Sequence, residues 1–488
     1  MFSYAENLSC QGSISYYSGG MPTEGVSDLL LLFLVAGLLK IGIPCFFSVA
    51  LISFVSAILS INFIRKLIKP LFLYQELLLI LTFLLLPQMI AGLVGYGTVF
   101  FGMLVVGSIY FFERKFLVAG FIMAFLACVA RPIEGFVPFG LALMYGVALK
   151  ENLLAKRYLL VFISSAVIFW CWRWWYFDSF MPLPFYVKTQ TEKFLFVFNK
   201  ETLYFLYQQF LPFVFSFALC VIGIWYLPKK YRKMPLMVFV FLFILPLMMY
   251  SCADRDMNFA LRYQYLPYLG LLILVFYLWE KIPSIQWINM FLFFVLIFRQ
   301  SSDQWLRARE FNWSNMYPLA VEMAQIVDGK GTLATTEAGI LPWQLQMKTL
   351  DLWGLNSKEL SKRNPTKEDM VLHNPDIIVF HPYADDLSLL YKPLTDTITK
   401  NWLQTTRISF DYGREYGYSA YLVPYDKRYY AQINRPWFSE ILDKKFGKPS
   451  ISYRMDVFMV RPNYKYAKEI AQLIYKYGGK EYVPESQK

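Results

Sequence analysis

Residues 45–69, CFFSVALISFVSAILSINFIRKLIK, decide the fold of this chain. Twenty uncharged, mostly apolar residues run from Cys45 to Ile64 and then meet Arg65, Lys66 and Lys69. About 20 such residues cross the hydrocarbon core of a bilayer, and a basic cluster at one end marks that end as cytoplasmic.

Nine further apolar stretches follow, near 71–89, 97–112, 116–130, 134–149, 158–175, 209–227, 235–251, 263–280 and 285–299. The composition agrees. Of 488 residues, 57% are hydrophobic and 19% aromatic, and the mean hydropathy is +0.39; soluble domains hold roughly 45–50% apolar residues. The chain reads as a polytopic α-helical membrane protein of about ten spans.

The net charge of +12 does not mark a nucleic-acid binder, because much of it sits in alternate loops. Arg114 and Lys115, then Lys150, Lys156 and Arg157, then Lys229, Lys230, Arg232 and Lys233 are cytoplasmic by the positive-inside rule. An even number of spans then puts both Met1 and everything after Arg299 outside.

Upstream, residues 1–28 (MFSYAENLSCQGSISYYSGGMPTEGVSD) carry neither Lys nor Arg and lack the basic and apolar regions of a secretory signal. They read as part of a first outer loop, residues 1–44, that has lost a preceding helix, or else as a natural outside tail. Downstream of about Ser301 the spans stop. Strand patterns at Thr332–Thr335, Thr349–Leu352, Asp376–Phe380, Tyr418–Val423 and Met455–Val460, with helical spacing at Pro318–Val327 and Tyr466–Tyr477, predict a soluble extracytoplasmic α/β domain over 301–488. The membrane domain is then 1–300.

The cysteines lie mostly in or beside spans and imply no disulfide framework. His373 and His381 lack the spacing of zinc ligands. Walker, dinucleotide-binding, nucleophile-elbow and zinc-protease motifs are absent, which argues against ATP-driven transport, dinucleotide chemistry and zinc proteolysis.

The outer loops hold the chemistry. Arg131 opens RPIEGF, Arg173 lies in WRWWYFDSFMPLPFYVKT, and Asp254, Asp256 and Arg262 share CADRDMNFALRYQYLP. An arginine in mid-bilayer costs roughly 2.5–3.5 kcal/mol on insertion scales, so each must snorkel, pair or line a polar cavity. Snorkelling explains any one alone; three on one face favour a site. Guanidinium binds phosphate through paired donors, so a lipid-linked phosphate is the natural ligand. Lys188 could neutralise the same phosphate, and the aromatic residues nearby suit sugar rings. The Asp254-x-Asp256 spacing is open to two readings, ligands of a divalent ion such as Mg or Mn or a solvated loop. Glu24 and Asp28 form an acidic pair in the first loop, either a general base or, for Asp28, the N-cap of the following Leu-rich helix.

Taken in order, these motifs resemble the GT-C membrane glycosyltransferases that use polyprenyl-phosphate sugars, in particular the group containing the mycobacterial terminal arabinofuranosyltransferase. Tyr4, Ala5, Asn7, Leu8, Glu24 and Gly25 match that group's first outer loop. Arg131–Pro132, the block from Tyr176 through Pro182 to Tyr186 and Lys188, Asp256 with Arg262, Glu337–Gly339 and Asp351–Leu355 match further on.

The resemblance implies inverting transfer of a sugar from a polyprenyl-phosphate donor to an extracytoplasmic glycan or lipid acceptor, in a bacterial inner membrane. It assigns the donor phosphate to Arg131, Arg173, Lys188 and Arg262, and sugar binding or orientation to Tyr4, Asn7, Asp178, Tyr186, Asp254 and Asp256. The family's catalytic aspartate is expected in an Asp-Asp pair just before Tyr4, upstream of Met1, leaving Glu24 and Asp28 as the first-loop substitutes. A family Glu aligns with Gly97 and a family Asn with Leu183. The rival expectations are a lipid-linked glycan transporter or flippase, and an inactive relative that binds the lipid carrier.

Overall fold

The computed structural model describes residues 1–69, 72–93, 95–148, 153–189, 211–250, 259–310, 316–382, 387, 390, 397–424 and 455–483. Helices occupy all ten stretches expected to be spans. Among the described residues three are long and apolar enough to cross a membrane alone, Cys45–Ile68, Leu153–Phe177 and Lys233–Tyr250. Others are shorter. The stretch 71–89 breaks because Pro87 cannot continue a helix, so Leu73–Leu84 and Met89–Leu93 are separate.

We number the first ten helices α1 (Phe2–Gln11), α2 (Leu29–Lys40), α3 (Cys45–Ile68), α4 (Leu73–Leu84), α5 (Met89–Leu93), α6 (Thr98–Glu113), α7 (Leu117–Ala130), α8 (Phe136–Ala148), α9 (Leu153–Phe177) and α10 (Leu183–Thr189). The centre of the bundle is α6 packed on the helix Tyr265–Lys281. Both are apolar all round and buried on nearly every side, as that pattern requires. Gly102 allows the crossing, since a Cβ there would lie 2.2 Å from a Tyr265 ring carbon. By contrast α9 turns Leu160, Val161, Ile168 and Trp175 outward, an apolar surface that suits lipid.

Residues 1–44 are more structured than the loop expected of them. They fold as α1, a turn closed by the Ser15–Pro22 bridge, and α2. The 12 residues of α2 extend only about 18 Å, short of a span.

A six-stranded sheet follows, β1 (Thr332–Thr335), β2 (Lys348–Asp351), β3 (Ile377–Phe380), β4 (Ser419–Pro424), β5 (Met455–Val460) and β6 (Lys480–Glu481), in the order β2-β1-β3-β5-β4-β6. The first three are mutually parallel and the rest antiparallel to their neighbours. β3 (IIVF) and β5 (MDVFMV) are buried at every position, because apolar cores cover both faces of the sheet. Met316–Val327 and Ala467–Lys476 pack on one face, and Thr397–Glu415 on the other.

The sheet domain meets the start of α3. Trp343 packs against Phe46, with ring centroids 5.5 Å apart, and against Phe2 at 4.9 Å. Arg65 and Lys66 lie at the far end of the same helix, about 30 Å away by helical rise. There Arg114 donates to the Lys66 carbonyl at 3.0 Å.

Candidate functional site

Helix α7 stops at Arg131 because Pro132 disfavours helical backbone in the residue before it, and Arg131 is accordingly extended. That bend turns its guanidinium toward Asp28, with Nε donating to Asp28 Oδ1 and Nη2 lying 3.5 Å from Oδ2. Arg131 Nη1 donates to Glu134 Oε1 at 3.1 Å, and Tyr250 Oη donates to the same oxygen at 3.2 Å. Tyr250 stacks on Tyr263, with centroids 4.7 Å apart. The Arg262 guanidinium lies 5.6 Å from the Tyr263 centroid and 4.2 Å from that of Tyr96. Next to Tyr96, the Gly97 N–H donates to Asp28 Oδ2 at 3.3 Å.

These contacts close a circuit through Asp28, Arg131, Glu134, Tyr250, Tyr263, Arg262 and Tyr96. Its two guanidinium groups balance its two carboxylates. Arg131 is engaged by both carboxylates, and among the described residues no ion pair joins Arg262 to a carboxylate. Glycine at 97 is required by space, because a Cβ would fall 2.9 Å from Asp28 Oδ1. Asp28 holds the N-cap position of α2, as expected, and its carbonyl accepts the Leu32 N–H at 3.0 Å, but its carboxylate makes no capping hydrogen bond because it engages Arg131 and Gly97.

A second buried pair joins Arg173 to Glu24. Arg173 also donates to the Phe180 carbonyl and lies over Trp170 at 4.3 Å, while the Leu183 N–H donates to the Glu24 carbonyl at 3.2 Å. Burial pushes the Glu24 carboxyl up to about 7 against the pull of Arg173. Both side chains are sealed from solvent. Glu24, expected as a candidate base, and Arg173, expected at the donor phosphate, thus meet in an ion pair that joins the first loop to the 178–183 turn.

Tyr4 and Asn7, expected at the sugar, belong to the loop's own framework. Asn7 donates to the Ser15 carbonyl at 2.9 Å. Tyr4 Oη accepts the Gly25 N–H at 3.2 Å and donates to Asn356 Oδ1 at 2.9 Å. Asn356 in turn donates to Asp351 Oδ2 at 2.7 Å. Tyr4 therefore ties the first loop to the sheet domain. Burial pushes the Asp351 carboxyl up to about 6, although Asn356 and the N–H groups of Trp353, Asn356 and Gly354 hold it down. Glu6 adds a second tie, accepting from Trp343 Nε1 at 2.8 Å and Gln346 Nε2 at 3.1 Å.

Asp178 is exposed and pairs with Lys358 of the sheet domain. Tyr186 is buried, accepts the Met181 N–H at 3.3 Å and lies 5.1 Å beneath Lys362. Lys188 is on α10, but its side chain falls outside the described residues, as do Asp254 and Asp256. Among the described residues no group of three His, Cys, Asp or Glu side chains is arranged to hold a metal. Sequence reasoning passed over Glu134, Tyr250, Tyr263 and Tyr96. Their adjacency to Arg131, the CADRDM stretch, Arg262 and Gly97 was the available signal.

Residues 307–433 match the model of a domain of unknown function, DUF8728. No curated protein matches the chain. Among solved structures, ArnT from Cupriavidus metallidurans in the apo state aligns with a TM-score of 0.48 at 13% identity, over 78% of this chain and 87% of that one. The same protein bound to undecaprenyl phosphate aligns with a TM-score of 0.50 at 13% identity, over the same shares. The likeness is one of fold. The chain has the polytopic α-helical architecture expected from its sequence, with a C-terminal sheet domain.

Proposed function

We propose that this protein is a glycosyltransferase that takes a sugar from a polyprenyl-phosphate donor and transfers it, with inversion, to an extracytoplasmic glycan or lipid. The observation that carries the reading is Arg262, held over two tyrosine faces beside the Asp28–Arg131–Glu134 cluster. A guanidinium with no carboxylate partner among the described residues is suited to a phosphate. The fold shared with ArnT, a protein whose structure holds undecaprenyl phosphate, supports a carrier of that class.

In the proposed reaction the acceptor hydroxyl oxygen attacks the anomeric carbon. The bond from that carbon to the phosphate oxygen breaks, and the polyprenyl phosphate leaves with the electron pair. Arg262 stabilises the negative charge that develops on the phosphate, and Lys188 is a further candidate for that role. The hydroxyl proton goes to a carboxylate. Of the two candidate bases in the first loop, Asp28 pairs with Arg131 in the circuit that holds Arg262, whereas Glu24 pairs with Arg173.

Sidedness follows from charge. Arg65, Lys66 and Arg114 gather at the end of α3 away from the sheet domain, which supports an extracytoplasmic sheet domain in a bacterial inner membrane. Kinship with the mycobacterial arabinofuranosyltransferase group is part of this proposal and rests on the order of the sequence motifs.

The test is binding of undecaprenyl phosphate to the full chain in nanodiscs. Arg262→Ala is expected to weaken it roughly tenfold or more. Unchanged binding in that variant would overturn the assignment of the phosphate site.

A further inference from the structure

The end of the helix bundle away from the sheet domain is tied together by three contacts. Arg65 of α3 pairs with Glu76 of α4 at 2.7 Å, and Tyr74 of α4 packs against Trp279 with ring centroids 5.9 Å apart. Tyr277 Oη donates to the Tyr231 carbonyl at 3.3 Å. The loop after helix Val214–Tyr226 thereby meets the turn between helices Tyr265–Lys281 and Pro283–Glu310.

Cations dominate this junction. The loop supplies Lys229, Lys230, Arg232 and Lys233. Lys230 Nζ lies 4.7 Å from the centroid of the Tyr231 ring, and Lys281 Nζ approaches the same centroid to 5.6 Å from another helix. Lys281 pairs with Glu280 at 3.0 Å, and among the described residues no ion pair joins the four loop cations to a carboxylate. Arg232 is taken up by the backbone, donating to the Leu227 and Trp225 carbonyls at 2.6 and 2.5 Å, so it caps the end of the preceding helix. The bias of basic residues toward one membrane face explains the sign of this end. It does not explain why ammonium groups from two helices converge on one tyrosine, since like charges repel and an exposed aromatic face offsets only part of that cost.

Beside the lysines the bundle turns aromatic side chains outward. Trp225 and Tyr226 are 75% and 71% exposed, and Trp287 is 54% exposed. The two tryptophans flank a single helix contact, in which Gln286 Nε2 donates to the Leu219 carbonyl at 3.1 Å and a Cβ on Gly223 would lie 2.8 Å from that nitrogen. Tryptophans facing outward beside a basic loop are the pattern of a membrane interface, with headgroups at the loop and acyl chains below.

We propose that Lys230 and Lys281, gathered at the Tyr231 ring, bind the headgroup of an anionic phospholipid whose acyl chains lie along Trp225 and Trp287. A phosphate diester brings the negative charge that the junction lacks and accepts hydrogen bonds from the ammonium groups. Tyr231 is 38% exposed, which leaves the ring open to a headgroup. A zwitterionic headgroup carries a cation of its own, which the lysines repel, so the site selects lipids of net negative charge. The 17 residues of Tyr265–Lys281 hold it about 25 Å from the start of that helix, where Arg262 lies, and it stands independently of the transferase reading.

The experiment is native mass spectrometry of the full chain released from detergent, titrated with phosphatidylglycerol or phosphatidylcholine. The wild type is expected to retain phosphatidylglycerol in preference, and the double variant Lys230→Gln/Lys281→Gln to bind it roughly five- to twentyfold more weakly. Lys230→Gln alone, an exposed change that leaves the Lys281–Glu280 pair intact, is expected to weaken it roughly three- to fivefold, which covers a double variant that fails to fold. Lys115→Gln/Lys156→Gln removes the same charge elsewhere at this end and is expected to change binding less than about twofold. Equal retention of the two lipids by the wild type overturns the site. Equal weakening in the two double variants also overturns it, because diffuse charge then suffices. Displacement of phosphatidylglycerol by excess inorganic phosphate would assign the lysines to a free anion and overturn the lipid.

Discussion

Arg173 and Glu24 form an ion pair closed to solvent, with 0% and 1% of their side chains exposed. The pair fastens the first loop to the turn after α9, although 149 residues of chain separate its members. Removing one partner leaves the other charge buried without compensation, which costs about 3–5 kcal/mol. Arg173→Ala is therefore expected to lower the thermal midpoint in detergent far more than Arg262→Ala does. Equal midpoints for the two variants would show that the lock is not structural.

Asp28→Asn is predicted to separate catalysis from binding. Asp28→Asn removes a proton acceptor, so the transfer rate should fall roughly 10²–10⁴-fold. Carrier binding should change little, because Arg262 is untouched. A rate within a few-fold of wild type would remove Asp28 from the chemistry.

Tyr4→Phe deletes one hydroxyl that joins Gly25 to Asn356. The expected cost is about 1–3 kcal/mol. Hydrogen exchange should rise at residues 12–28 and 351–357 together, since the same oxygen serves both. Exchange that rises in one segment only would argue against a shared tie.

The sheet domain should carry a pH signature from Asp351. Its carboxyl is raised in the folded state from an ordinary value near 3.8 to about 6. The folded protein therefore holds the proton more tightly, and stability falls as pH rises from about 4 to about 6, then levels off. Urea unfolding of the wild type across this window is the check. In Asp351→Asn, which cannot titrate, the slope in that window should flatten.

Membrane sidedness is open to direct chemistry. In a variant lacking Cys10 and Cys171, Leu372→Cys should react with an impermeant maleimide on intact spheroplasts. Lys115→Cys should react only after lysis. The reverse pattern would invert the topology.

Local pattern by itself determined the helical stretches, the basic end of α3 and most strands of the sheet domain. Thr332–Thr335 and Met455–Val460 agree with their expected limits, and Ile377–Phe380 begins one residue late. These features depend on hydrophobic runs and on alternation within a few residues, so they are written where they are used. Which arginines meet a carboxylate of the first loop was decided only by tertiary structure. Arg131, Arg173 and Arg262 look equivalent in the sequence, but Asp28 and Glu24 reach across 103 and 149 residues to engage the first two. His381 likewise meets Asp456 across 75 residues at the edge of a sheet. Such pairings come from how elements pack, and no local periodicity encodes them. A buried charge must find a partner wherever the fold puts one.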